Sequence, residues 1–183
     1  MNAKWLLVLG LTMLLTACAA TGPTFSEQAA LSPAVASHMA CLTVFQTATG
    51  MKYVDLPPTI RIDGKEVGSC AYAGFNSFDV SAGTHVVAVD MWDSPGKCEL
   101  HVGVLGGTTY FYEIALRPEH LAAGQVGRFF SAFGLFGSLV DGLAMYSGMT
   151  AESAGKECGG AFSITPVEES VALSKIASLR ASR

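Results

Sequence analysis

A mainly β fold is predicted: an antiparallel β-sandwich of about seven strands, with a glycine-rich helical insertion and a C-terminal helix. Three features predict it. Between Cys41 and Leu116, alternating or β-branched runs recur about every ten residues, each bounded by turn residues. From Leu116 to Ala161 that rhythm stops, and an almost uncharged stretch rich in glycine, serine and phenylalanine follows. Beyond Val167 the apolar spacing becomes helical.

At the N-terminus, Lys4 precedes the apolar run Trp5–Leu15, which has the length of a signal-peptide core and is too short to span a bilayer. Leu15-Thr16-Ala17-Cys18 follows: an aliphatic residue, two small residues and a cysteine. This resembles the bacterial lipobox. The resemblance implies that residues 1–17 are a signal peptide and that the Cys18 sulfur takes a diacylglycerol. It also implies that the new amino group is acylated, with palmitate the expected chain. Such an anchor exceeds the two-chain requirement for stable attachment. Ala19 follows the cysteine, where an aspartate would favour inner-membrane retention. The expected place is therefore the periplasmic face of the outer membrane. Residues 18–39, rich in Ala, Thr, Ser and Pro, read as a lipidated flexible tether with room for a short helix in Ser26–Ser32. Residues 40–183 read as one domain.

Removing Lys4 from the eleven basic residues leaves ten against fifteen acidic ones. An acidic, sparsely basic domain has no electrostatic footprint for nucleic acid and no polybasic patch for anionic lipid. The partners expected are the membrane, through the N-terminal lipid, and an envelope protein or a second copy of the chain.

The strands follow in order. Cys41–Gln46 is β-branched and alternating. Thr59–Gly68 places Ile60 and Ile62 on one face before Asp63-Gly64, a strong two-residue hairpin signal. Tyr72–Val80 alternates through Phe78 and Val80, and Gly83 then turns the chain. His85–Trp92 is the clearest strand, and Ser94–Lys97 reads as a turn. Cys98–Leu105 alternates Leu100, Val102 and Val104. Gly106-Gly107 turns the chain into Thr108–Leu116, and Ala161–Val167 is a last strand. The closing helix carries a stripe of Val171, Leu173, Ile176 and Leu179. Glu168 and Glu169 stand early in it and Lys175 and Arg180 late, in accord with the helix dipole.

Besides Cys18 there are Cys41, Cys70, Cys98 and Cys158, and no pair has the C-x-x-C spacing of a zinc or redox site. In an oxidising compartment two disulfides are expected, among three possible pairings. Cys70 and Cys98 each open a strand on either side of what reads as one hairpin, which points to Cys70–Cys98 and leaves Cys41–Cys158.

Ile60–Gly68, Phe75–Val89 and Leu100–Leu116 together are similar to a bacterial lipoprotein family called domain of unknown function 2846, itself related in pattern to PEGA-type β-modules. The shared residues are Asp63-Gly64, Gly68, Phe78, Gly83 with His85, Gly107, and Tyr110 with Tyr112. The resemblance covers about Cys41 to Leu116 and extends to the last strand and helix. It implies architecture and an envelope location, and no activity.

No catalytic constellation is legible. His38, His85, His101 and His120 have no metal-ligand spacing, and each is expected to be structural or solvated. There is no G-x-S-x-G elbow, and Gly155–Gly160 lacks the phosphate-loop pattern. No catalytic residue, metal or cofactor is therefore expected, and the chain is read as a non-catalytic module. The competing class is a small envelope enzyme or ligand-binding protein.

The stretch near 126–149 reads as a helix with Phe129, Phe133, Phe136, Val140 and Leu143 on one face. Ser131, Gly134, Ser138 and Gly142 form a stripe of small residues beside them. Only about twelve uncharged residues separate Arg128 from Asp141, against the ~20 that a span needs. The stretch is thus expected to lie on the sheet or to present an interaction surface formed by Phe129, Phe133, Gly134, Phe136, Ser138 and Gly142. A hairpin turning at Asp141-Gly142 is the structural competitor.

Overall fold

The structure, a computed structural model, describes residues 20–48, 57–91, 94–117 and 158–182. The expected signal peptide, Cys18 and the stretch 126–149 with its six proposed interaction residues lie outside them. The elements run α1 (Phe25–Leu31), β1 (Met39–Gln46), β2 (Thr59–Ile62), β3 (Lys65–Ser69), β4 (Gly74–Ser81), β5 (Gly83–Met91), β6 (Ser94–Val104), β7 (Thr109–Leu116), β8 (Phe162–Val167), α2 (Glu169–Ile176) and β9 (Arg180–Ala181).

The strands form two sheets, β8-β7-β1-β4-β9 and β3-β2-β5-β6. The mainly β sandwich is as expected. The four-stranded sheet is antiparallel throughout, whereas the five-stranded sheet is mixed: β1 runs parallel to β7, and β4 parallel to β9. The difference arises where the chain changes sheet. β4 and β5 flank Gly83 yet belong to different sheets, as do β6 and β7 around Gly106-Gly107.

Alternation builds the core. Ala40, Leu42 and Val44 of β1 and Tyr112 and Ile114 of β7 face Ile60, Val87, Val89, Val102 and Val104 of the opposite sheet, all less than a tenth exposed. Along β1 the other face carries Cys41, Thr43 and Phe45. There Phe45, Phe75 and Phe111 make a second apolar cluster with Ala172, Ile176 and Leu179. The molecule therefore has three layers: sheet, sheet, helices. Of the stripe expected on the closing helix, Ile176 and Leu179 are buried and Val171 and Leu173 are not. Ala172 and Ile176, four residues apart, are fully buried, while Val171 and Leu173 are exposed. The small Ala172 lets the helix backbone approach the sheet; Val171 and Leu173 lie about 100° to either side of it and point away.

Two turns differ in detail from expectation. Asp63 and Gly64 have φ of 52° and 77°, the signs that a type I′ turn demands, as the Asp-Gly pair predicts. Ser94–Lys97, read as a turn, is part of β6: Met91 pairs with Ser94 and Asp90 with Lys97, so Pro95 and Gly96 form a bulge.

The start of the expected tether packs on the fold: Ala20 and Gly22 are buried, whereas residues 29–34 are exposed. Thr24 and Glu27 form a capping box, with Thr24 N donating to Glu27 Oε2 at 2.7 Å and Glu27 N to Thr24 Oγ1 at 3.3 Å. Phe25 meets Phe75 edge-on, ring centroids 5.2 Å apart, and so joins the second cluster. Gly22 N donates to Ala181 O at 3.0 Å, and Ala181 N to Pro23 O at 2.8 Å. The sequence Thr24-Phe25-Ser26-Glu27 carries that capping signal in plain view.

Candidate functional site

Three groups of chemically capable side chains occur among the described residues. The first is a cleft of about 600 Å³ on the solvent face of the four-stranded sheet, lined by Thr59, Arg61, Glu66, Asp90, Met91, Gly96 and Lys97. Pairing of β2 with β3 and β5 brings Arg61 between two carboxylates. Its Nε donates to Asp90 Oδ2 at 2.9 Å and its Nη2 to Glu66 Oε2 at 3.4 Å. Lys97 pairs with Glu99 at 2.6 Å. The basic groups of the cleft are thus neutralised by neighbours on the same sheet, and the lining is polar with little net charge.

The second group joins two motifs distant in sequence. His85 lies on the inward face of β5 at the rim of the sandwich, 9 % exposed. Its Nδ1 is 2.7 Å from Asp63 Oδ2, in the β2–β3 turn, and its Nε2 is 2.8 Å from Ser81 O, at the end of β4. The other Asp63 oxygen accepts from Val86 N at 2.9 Å. The ring therefore connects the two sheets. Both ring nitrogens face acceptors, so the contact is complete only in the imidazolium form, in which both donate. The carboxylate and the carbonyl push the His85 pKa up, and the His85 bond holds the Asp63 carboxyl below its ordinary range. His85 is structural, as the sequence implies, but it is bonded inside the rim instead of solvated. His101 and His38 are exposed.

The third group is the cysteines. The expected pairing is corrected: Cys98 is bonded to Cys158, and Cys41 and Cys70 are free thiols. Sheet order gives the reason. Cys70 follows β3 and Cys98 lies on β6, the two outer strands of the four-stranded sheet. Three strand spacings, about 14 Å, separate them, far beyond disulfide reach. Cys41 faces the helix layer, whereas Cys158 returns beside β6, where Gly159 N donates to Lys97 O at 2.9 Å. Cys70 is fully buried, its thiol 3.4 Å from Gly74 O, and burial pushes its pKa up to about 12. Cys41 Sγ lies 3.9 Å from Thr43 Oγ1, and burial, with the Asp79 carboxylate, pushes its thiol up too. Neither thiol is primed as a nucleophile.

The pattern residues of the family resemblance are placed as turn and packing parts. Asp63 and His85 meet in the rim contact. Tyr110 Oη accepts from Leu105 N at 2.9 Å, closing the connection that holds Gly106 and Gly107. A Cβ on Gly68 would stand 3.1 Å from Asn76 Nδ2 and in ordinary contact, 3.4 Å, with the Phe78 ring. Spacing alone could not pair Asp63 with His85, since it is the β2–β5 register, Ile62 opposite Val87, that sets the turn beside the start of β5.

Among the described residues, no three or more His, Cys, Asp or Glu side chains gather as a metal site, and no helix is long and apolar enough to cross a membrane. No protein-family model matches the chain, and no curated protein does.

Proposed function

We propose that this protein is a lipid-anchored module of the bacterial envelope that binds or holds other envelope components and performs no chemistry of its own. The domain of unknown function 2846 lipoproteins, which it resembles, are its model for architecture and place. One observation supports the non-catalytic part: among the described residues, the His85, Arg61 and Cys70 side chains are bonded within the fold. His85 uses both nitrogens within the rim, Arg61 lies between two carboxylates, and the Cys70 thiol is sealed under Gly74. The anchor rests on Lys4, the apolar run and Leu15–Cys18, and the outer-membrane periplasmic face on Ala19. The test is Cys18→Ser followed by fractionation. The variant is expected in the soluble fraction; retention in the membrane as firm as the parent's would end the anchored reading. An envelope protein or a second copy remains the proposed partner of the stretch around Gly134 and Ser138. Gly134→Leu or Ser138→Leu should then abolish assembly while melting stays put.

The cleft around Arg61 supports a second reading, a binding site for a small polar ligand. Its mixed lining suits a neutral or zwitterionic molecule better than a strong anion. A thermal-shift screen over sugars, peptides and nucleotides decides: a stabilising compound whose effect vanishes in Arg61→Ala would favour this reading over the first.

A further inference from the structure

We propose that the anchored protein lies directly against the bilayer, on the rim formed by Ala20, the β3–β4 connection and β9. This rests on the Cys18 anchor proposed above and goes beyond it, since lipidation alone fixes no orientation. The residues just after the anchor are held to the fold. Ala20 is 8 % exposed, and a Cβ built on Gly74, the first residue of β4, would come within 2.8 Å of the Ala20 Cβ. Glycine at 74 is what lets Ala20 sit there. Gly22 is as close to Ala181, where a Cβ would stand at 2.7 Å. The hydrogen bonds of Gly22, Pro23 and Phe25 to Ala181 and Leu179, and that of Arg180 Nη1 to Gly22 O at 3.1 Å, fasten the same segment to β9.

Covalent reach then sets the geometry. Cys18 is two residues from Ala20, and an extended chain covers about 3.3–3.6 Å per residue, so the anchor lies within about 7 Å of Ala20. A free linker from Cys18 to Met39 would instead give a mean separation of about 25 Å. The acyl chains hold Cys18 at headgroup level. The headgroups must therefore come to the rim at Ala20, where the turn of Ala71–Ala73 and β9 also lie. β4 leads away from that rim for about 23 Å before it reaches Ser81. The exposed Leu105 belongs to the far end, and β7, which it precedes, is two strands in from β4. With β4 standing away from the surface, Leu105 lies off the bilayer when Tyr72 and Arg180 are against it.

The experiment uses the mature lipoprotein in phosphatidylethanolamine–phosphatidylglycerol vesicles. A fluorophore is placed by Tyr72→Cys, Arg180→Cys or Leu105→Cys in a Cys41→Ser background, and quenched by nitroxide attached to lipid headgroups. Mass spectrometry of the same sample reads lipidation at Cys18. Quenching several-fold stronger at positions 72 and 180 than at 105 is expected. Twenty Gly and Ser residues inserted between Ala19 and Ala20 should erase the difference without changing the melting temperature. Equal weak quenching at all three positions of a lipidated sample overturns the docked orientation and leaves the anchor standing. A sample with no lipid on Cys18 overturns both.

Discussion

A neutral imidazole has one N–H, and His85 faces two acceptors, so the contact that joins the two sheets is whole only while the ring is charged. Its stabilisation is present in full below the ordinary histidine value of 6.5, and is lost as pH rises through the higher folded value. On the acid side it is present above the ordinary Asp63 value of 3.8 and lost as pH falls through the lower folded value. The parent should therefore melt at lower temperature at pH 9 than at pH 6, and His85→Gln should flatten that slope. Identical slopes in the two proteins would remove the charged ring from the account. Gly106 gives a sharper test at this scale. A Cβ there would lie 1.9 Å from Ser37 O, where the segment ahead of β1 crosses the β6–β7 connection, and 2.7 Å from Ser37 C. Gly106→Ala should cost roughly 1–3 kcal/mol by overpacking. Gly103→Ala, with nothing within 4 Å of its Cβ, should leave stability within about 0.5 kcal/mol. Denaturant melts of the pair decide; equal stability would deny the close crossing.

At the scale of elements, the Cys98–Cys158 bond closes a loop of 60 residues and ties the start of β8 to the strand across the core. Chain-entropy reasoning gives such a closure about 4 kcal/mol. Cys98→Ser should lower stability by roughly 3–4 kcal/mol more under oxidising conditions than under reducing ones, where only the burial of its hydroxyl remains. Thiol titration should find Cys70 silent until the protein unfolds. The strands themselves were legible because each is a short alternating run between strong turn residues, with Asp63-Gly64 and the Val86–Val89 run the clearest. The pairing of cysteines was not, because it depends on which strands become sheet edges, and no local pattern encodes that. The stripe on the closing helix was read correctly at Ile176 and Leu179 and wrongly at Val171 and Leu173, because small Ala172 fits against a sheet rich in phenylalanine that already fills the space. Of the candidate site, each partner of the rim contact was visible as a turn residue, and their meeting was not.

At the scale of the molecule, the segment 118–157 departs and returns at one place. Arg117 Nη1 donates to Cys158 O at 3.2 Å and to Gly160 O at 3.3 Å, and Arg117 N donates to Ala161 O at 2.9 Å. Six residue pairs of β7 and β8 continue from there. A chain in which a short Gly-Ser turn replaces residues 120–156 should still fold as a cooperative sandwich with its disulfide intact. Circular dichroism and mass before and after reduction would check it, and a molten or aggregated product would show that the segment is needed for folding. The disulfide also sets how the molecule bears tension. A pull on the chain just ahead of Cys158 enters through the sulfur bridge into β6, within the strand, where the hydrogen bonds to β5 share the load. Without the bridge the same pull would reach β8 at its first residue and open the β7–β8 ladder one rung at a time. Oxidation thus turns a strand that would unzip into a mechanical mount, at the point where segment 118–157 rejoins the sandwich.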